Sequence, residues 1–443
     1  MANEARMMRD AEIIFRSSLK AVDSLESVKR HLIRRNDRLE VGDRIYDLSA
    51  FATVSVVGAG KASAAMALAV EGVLGNRLTG GTVTVKYGHA RPLGIVQCRE
   101  AGHPVPDEEG LQGSRNIVRL LKTKGEKDLV ICLISGGGSA LMPFPVEGIT
   151  LNDKQNLTRA LLECGATIQE MNALRKHVSR VKGGRLACLA HPSTLVTLIL
   201  SDVIGDDLES IASGPTVPDR STFADCLRVL ERYELRNKIP VSVLAYLDKG
   251  AEGEYTETPK KGEPAFERTQ NLIVANNMMA IREAKKKAEA LGYNTLILSS
   301  LIEGETREVA KVHAAVAKEI LRTDNPVHRP ACLISGGETT VTIRGKGLGG
   351  RNQEFVLAAA IALEGSEEVV VLSAGTDGTD GPTEAAGAVG DGMTVRKARA
   401  AGLDAARYLR DNDSYHFFEK MNGLLITGPT HTNVMDLRMV LVR

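Results

Sequence analysis

The sequence predicts an α/β protein of two domains, and three observations carry that expectation. Short apolar runs alternate with helix-length segments, the pattern of βαβ units whose mostly parallel sheet is covered on both faces. A polar stretch with prolines and glycines, AEGEYTETPKKGEPAFERTQ at 251–270, interrupts the alternation, which then resumes. The pentapeptide LISGG ends an apolar strand twice, at 133–137 and at 333–337. The expected layout is a large domain over 1–250, a linker or excursion over 251–270, and a smaller domain over 271–443. Residues 424–443 either close the second domain or return to the first.

Taken in order, residues 8–34 carry Ala11, Ile14, Phe15, Leu19, Val22, Leu25, Val28 and Leu32 at helical spacing, which predicts one long amphipathic helix or two. Strands follow at 53–57 and 81–86, separated by an alanine-rich helix over 61–74. A helix after PDEEG leads to a strand at 128–135, and TLVTLILS at 194–201 is a further strand ending at Asp202. Two helix-like segments span 222–249. Beyond the polar stretch come a strand at 271–276, a Lys-rich helix at 277–290, a strand at 294–300 and a helix at 305–321. Strands at 331–337 and 339–343, a helix at 352–363 and a strand at 367–375 complete the second domain.

Composition narrows the function. With 56 Lys+Arg against 55 Asp+Glu the formal charge is +1, so no single-sign field exists to hold a nucleic acid. Tryptophan is absent and aromatics reach 4%, which argues against a stacking surface for bases or sugars. The six cysteines contain no CxxC pair and fit a reduced compartment. The N-terminal residues lack a signal-peptide core and no run reaches the roughly 18 apolar residues of a membrane span, so the expectation is a soluble, cytoplasmic protein without a membrane partner. The 43 glycines ask for a chemical reason.

They cluster in loops that follow strands. In VSVVGAGKASAAM a strand runs into Gly58, Gly60 and Lys61 and then a helix, placing N–H groups and a positive side chain where an anion binds. It is not a Walker A loop, because Ser55 and Ala62 stand where that motif needs glycine and Ser or Thr. The LISGG loops offer Ser135, Gly136, Gly137, Gly138 and Ser139 in one copy and Ser335, Gly336, Gly337 and Glu338 in the other. Glycine lets the backbone approach a ligand closely, and the serines can donate to phosphate or carboxylate oxygens. Ligands of parallel sheets bind beyond the strand carboxyl ends, where these loops lie.

Gly345, Gly347 and Gly350 match GxGxxG spacing, yet the acidic residue expected about 20 positions on is missing, which disfavours a dinucleotide. Lys346 and Arg351 beside them suit phosphate oxygens. In SAGTDGTDGPTEAAGA, Asp377, Asp380 and Glu384 lack EF-hand register but could hold Mg²⁺ beside nucleotide phosphates. Asp202 points toward a ligand crevice, whereas Asp206 or Asp207 suits capping a short helix. His89 and His103 lie in turns and are read as structural. Two domains with such loops at facing sheet ends form a cleft suited to phosphoryl transfer, with Lys61, Arg351, Asp202 and Asp377 as candidates.

VVGAGKAS, ISGGGSAL, LSDVIGDDLESIASGPT, ISGGETTV, GGRNQE, AGTDGTDGPTEAAGA and the ending GPTHTNVMDL together closely resemble the glycerate 2-kinase family, whose C-terminal part is the MOFRL domain. The resemblance implies a large Rossmann-like domain, a smaller C-terminal α/β domain of MOFRL type and an active site in the cleft between them. It implies ATP- and Mg²⁺-dependent phosphorylation of D-glycerate at its 2-hydroxyl. Carried over, the family lysine falls on Lys61, the arginine on Arg351, and the acidic residues of its SDV and GTDG segments on Asp202 and Asp377. Lys61, Arg351 and Asp202 are the expected catalytic residues. Gly58, Gly60 and the two LISGG loops are the expected ATP site, and Asp377 and Asp380 the expected metal ligands. The family commonly has glycine where His431 stands. Some relatives carry the label hydroxypyruvate reductase, so an NAD(P)H-dependent reductase is the alternative, and a non-catalytic sugar-acid or nucleotide binder is a third reading. The long N-terminal helices could offer a homodimer surface.

Overall fold

The computed structural model describes residues 2–443. The chain forms two compact units: Ser24–Val274, and a second that joins Ala275–Arg443 to the residues up to Asp23. These boundaries differ from those expected at both ends, because apolar periodicity marks a helix or strand without saying which sheet it joins.

In the unit Ser24–Val274 the strands β1 (Leu32–Arg35), β2 (Arg38–Val41) and β3 (Arg44–Asp47) make a small antiparallel sheet. The main sheet contains β4 (Thr53–Ala59), β5 (Gly80–Lys86), β6 (Val96–Ala101), β7 (Asp128–Ile134), β8 (Thr194–Leu200) and β9 (Thr269–Ala275). Their spatial order is β6-β5-β4-β7-β8-β9, with every pair from β6 to β8 parallel. Counting from β4, this is the order 3-2-1-4-5-6 of the doubly wound dinucleotide fold, and the winding reverses between β4 and β7. Val57, Ala59, Val130, Cys132, Ile134 and Ile199 from the sheet pack on Ile117, Val118 and Leu121 of the helix Glu108–Leu121. Alanines at 64, 65, 67 and 69 are buried in the helix Ser63–Leu74, so that helix lies close to the strands.

A helical layer from 151 to 251 has its own core, including Leu157, Leu161, Leu174, Phe223, Leu230 and Leu247. Its helices Leu151–Glu163, Ile168–His177 and Phe223–Arg232 each start with a capping box, on Thr150, Thr167 and Thr222. The expected linker at 251–270 is held to this unit: Thr258 Oγ1 donates to Asp219 Oδ2 at 2.8 Å, and the Phe223 N–H donates to Glu257 Oε1 at 2.7 Å. It leads into β9, which extends the first sheet rather than opening the second.

The other unit is built on β10 (Asn294–Ile302), β11 (Ala331–Gly337), β12 (Val369–Gly375), β13 (Gly387–Asp391), β14 (Leu424–Leu425) and β15 (Asp436–Val442). The order is β10-β11-β15-β12-β13-β14. Only β10 and β11 pair in parallel; β15 runs antiparallel to both its neighbours, so the sheet is mixed rather than mostly parallel. The tail therefore closes this unit from its centre. The strand expected at 339–343 is absent apart from one bridge between Thr340 and Glu305. The helix Ala2–Ala21 buries Met7, Ala11, Ile14 and Phe15 in a core with Ile281, Leu372, Leu437 and Met439. No helix among the described residues is long and apolar enough to cross a membrane.

Candidate active site

The first constellation sits where the β4 and β7 ends part, the switch point at which doubly wound sheets bind ligands. The loop after β4 is tied to the loop after β7. The Lys61 N–H donates to Gly136 O at 2.9 Å, and the Ala62 N–H donates to Ser135 Oγ at 3.0 Å. Ser135 is fully buried, so its hydroxyl joins the loops instead of facing a ligand. A methyl group on Gly136 would lie 2.1 Å from Asp202 Oδ2. Gly137 has φ 81°, and a side chain there would meet the His103 ring at 2.8 Å and the Lys61 side chain at 3.5 Å. Lys61, Asp202 and His103 thus surround a stretch of bare backbone. Among the described residues the N–H groups of Gly136 and Gly137 donate to no protein acceptor.

Burial, reinforced by the charges of Lys61 and Lys86, pushes the His103 imidazole down to about 4. It is neutral at physiological pH and adds no charge to the loop. His89 contacts the Lys61 carbonyl through Nδ1 at 3.1 Å. Ser139 Oγ lies 3.0 Å from Ser213 Oγ, which donates to Asn172 Oδ1 at 3.0 Å. Asp207, not Asp206, caps the next turn, accepting from Ser210 Oγ at 2.6 Å.

The second constellation lies at the start of the helix Arg351–Ala362. Arg351 forms a fork with Asp436, Nε to Oδ2 at 2.7 Å and Nη2 to Oδ1 at 3.0 Å, while Nη1 donates to Glu338 Oε1 at 2.6 Å. Asp436 is fully buried and also accepts from Asn352 Nδ2 and Arg438 Nη2, both at 2.9 Å. Half-buried Glu338 is pushed above the usual carboxylate range by burial; Arg351 opposes that shift, whereas the nearby charges of Asp436 and Asp377 add to it. Asp377 is partly exposed and accepts from the Thr379 N–H and hydroxyl, each at 3.1 Å.

Several of the expected site residues make internal contacts. Asp380 is buried and gives both carboxylate oxygens to the helix start, accepting from the Asn352 N–H at 3.0 Å and the Gln353 N–H at 2.8 Å. It is a cap supplied from a distant loop. Ser335 is fully buried and its Oγ lies 2.8 Å from His313 Nε2. Methyl groups on Gly336 and Gly337 would strike Asn277 and the Ile302 backbone, so these glycines serve internal packing. Gly345 and Gly347 likewise press on the backbone of Asp411 and Asp413, which fills the space a dinucleotide would need.

Residues 10–248 match a family model described as a domain of unknown function (DUF4147), and residues 331–436 match the MOFRL family. The D-glycerate 2-kinase of Thermotoga maritima is 46% identical over 390 residues, 88% of this chain and 90% of that protein. The chain belongs to the MOFRL-domain glycerate 2-kinase family. A crystal structure of glycerate kinase from Thermotoga maritima matches this family member with a TM-score of 0.88 at 42% identity, covering 99% of this chain and 100% of that one. A relative from Agrobacterium vitis named putative hydroxypyruvate reductase is 45% identical over 389 residues, 87% of this chain and 86% of its own length.

Sequence reasoning missed Asp436, Asn352 and Arg438 in this glycerate 2-kinase family member. Asn352 and Asp436 do lie in the quoted segments GGRNQE and GPTHTNVMDL. A carboxylate opening an apolar strand, as Asp436 opens β15, is a signal that a buried partner exists, and Arg351 is that partner.

Proposed function

We propose that the chain is a D-glycerate 2-kinase, transferring the γ-phosphoryl group of ATP to the 2-hydroxyl of D-glycerate to give 2-phospho-D-glycerate and ADP. The observation that carries this reading is the switch-point constellation of Lys61, Asp202 and the bare Gly136–Gly137 backbone, in a chain 46% identical to an enzyme of that activity.

The free N–H groups of the glycine loop and the Lys61 ammonium hold phosphate oxygens, as helix-entry loops do. Asp202 Oδ2 takes the proton from the 2-hydroxyl as its oxygen bonds to phosphorus and the bond to ADP breaks. Arg351 keeps its fork on Asp436, and its Nη1, which donates to Glu338, is the donor it offers to phosphate oxygens.

Mg²⁺ fits this donor set. No group of three or more His, Cys, Asp or Glu among the described residues is placed to hold a metal alone. Glu338 and Asp377 are close enough for one to raise the other's pKa, and one or two carboxylates completed by phosphate oxygens and water are the usual Mg²⁺ arrangement. When bound, the ion neutralises phosphate charge. Asp377 and Glu338 are therefore the proposed ligands, with Asp380 confined to its cap.

The test is ADP formation by the purified protein with D-glycerate, ATP and Mg²⁺, run beside NADH and NADPH oxidation on hydroxypyruvate. ADP release dependent on D-glycerate is expected. Nicotinamide oxidation without ADP release would replace the kinase with the reductase.

A further inference from the structure

Behind the glycine loop, within the same unit, lies a group of donors that the reading above does not use. Lys182 is fully buried and its Nζ donates to Ser139 O at 2.8 Å. Lys154, on the helix Leu151–Glu163, is 4% exposed, and its Nζ has no hydrogen-bond partner. Asn172, on the helix Ile168–His177, accepts from Ser213 Oγ through Oδ1 but leaves a buried Nδ2 without an acceptor. Half-buried Arg175, one turn further along that helix, makes no ion pair or hydrogen bond among the described residues. Burial disfavours the charged form of all three; Arg175 adds to this at Lys154, and Lys154 and Arg175 add to it at Lys182, while no carboxylate offsets any of them.

Neighbouring cations on the same unit show what ordinary structural pairing looks like. Lys176 has Asp219 at 3.0 Å and Glu209 at 3.5 Å, and Arg185 spends Nη1 on the carbonyls of Lys176, His177 and Ser179. Lys154 and Arg175 have no such partners, and Lys182 has only the Ser139 carbonyl. Buried positive groups persist when something negative completes them, and an amide donor and two ammonium groups beside a guanidinium match the oxygens of one oxyanion. Arg175 and Ser139 are the partly exposed members and connect the group to solvent.

We infer that Lys154, Asn172, Arg175 and Lys182 form a binding pocket for an oxyanion, either the carboxylate of the hydroxy-acid substrate or a phosphate group of the nucleotide or product. The inference rests on the kinase reading only for the identity of these ligands. Because Lys182 holds the Ser139 carbonyl, the pocket also positions the loop that carries Gly136 and Gly137.

The experiment measures steady-state kinetics of Lys154→Met, Lys154→Arg and Arg175→Met against wild type. The Met variants are expected to keep the wild-type circular dichroism and melt at or above the wild-type temperature, since each removes a desolvated basic group that no carboxylate offsets. A tenfold or greater rise in KM for D-glycerate with KM for ATP within twofold assigns the pocket to the carboxylate. The reverse pattern assigns it to phosphate. In either case Lys154→Arg recovers most of the loss. Folded Met variants with both KM values within twofold of wild type overturn the pocket while leaving the kinase reading intact. Absence of D-glycerate turnover by wild type overturns the kinase reading instead. Then, or if the Met variants do not fold, crystals of the wild-type protein soaked with D-glycerate or inorganic phosphate decide. An oxyanion on Lys154 Nζ and Arg175 supports the pocket, and ligand bound only elsewhere refutes it.

Discussion

Arg351 and Asp436 form a two-bond fork in which the carboxylate is fully buried and the guanidinium keeps a third direction, through Nη1, toward the partly exposed Glu338. One arginine thereby anchors the central strand β15 to the helix Arg351–Ala362 and keeps a further donor on Glu338.

Arg351→Ala removes the donor and one of Asp436's partners. Turnover is expected to fall by about 10²-fold or more, the usual effect of losing one charge-stabilising donor. Stability falls by only about 1–2 kcal/mol, because Asn352 and Arg438 still hold Asp436. Unchanged kcat with a raised KM would assign Arg351 to ground-state binding instead.

Gly136→Ala places a methyl group into the Asp202 carboxylate, 2.1 Å from Oδ2. The loop or Asp202 has to shift, and kcat/KM should drop by about an order of magnitude or more while the protein stays folded, with a loss of about 1–3 kcal/mol. Wild-type kinetics in this variant would show that the Asp202–Gly136 approach has no part in turnover.

Asp377→Asn and Asp380→Asn separate metal binding from capping. With Asp377 as a ligand, its variant should lose roughly tenfold or more in kcat and need more Mg²⁺ for half-maximal rate. Asp380→Asn should lose about 1 kcal/mol of stability from the weakened helix start, with an unchanged Mg²⁺ requirement. A Mg²⁺ titration on both variants is the check, and a shift only in Asp380→Asn would return the metal to that residue.

Burial pushes Glu257 up, but hydrogen bonds from His177 and the Phe223 N–H, with Lys260 nearby, carry it down to about 2. A carboxyl held below its unfolded value of 4.5 stabilises the fold above that pH, and this contribution is lost as pH falls through about 2. Denaturant melts of wild type and Glu257→Gln should show a gap that is constant above pH 5 and narrows toward pH 2. A gap that widens with acid would contradict the assignment.

Local chemistry was the legible part of this chain. The strands leading into Gly58, Gly136 and Gly337 stand out because apolar runs ending in glycine have few other uses in an α/β fold, and strand ends also locate Lys61 and Asp202 beside one glycine loop. Partnership across long sequence separations was not legible. Asp380 reads as a metal ligand until the helix at Asn352 is seen to use both its oxygens. The helix Ala2–Ala21 shows its apolar stripe but not that its core lies with Leu437 and Met439. The strands β1–β3 are only four residues long each and together carry four arginines, so no apolar run marks them. His431 stands in the left-handed region at φ 59°, a conformation that glycine adopts without cost and that no sequence pattern here reveals.

The central claim is transfer to the 2-hydroxyl of D-glycerate, and the position of the phosphate in the product tests it most directly. Product from D-glycerate, ATP and Mg²⁺ is supplied to enolase with and without phosphoglycerate mutase. The account predicts full enolase signal without the mutase, because the product is 2-phosphoglycerate. Signal that appears only after the mutase is added, despite ADP release, would place the phosphate on the 3-hydroxyl and contradict it.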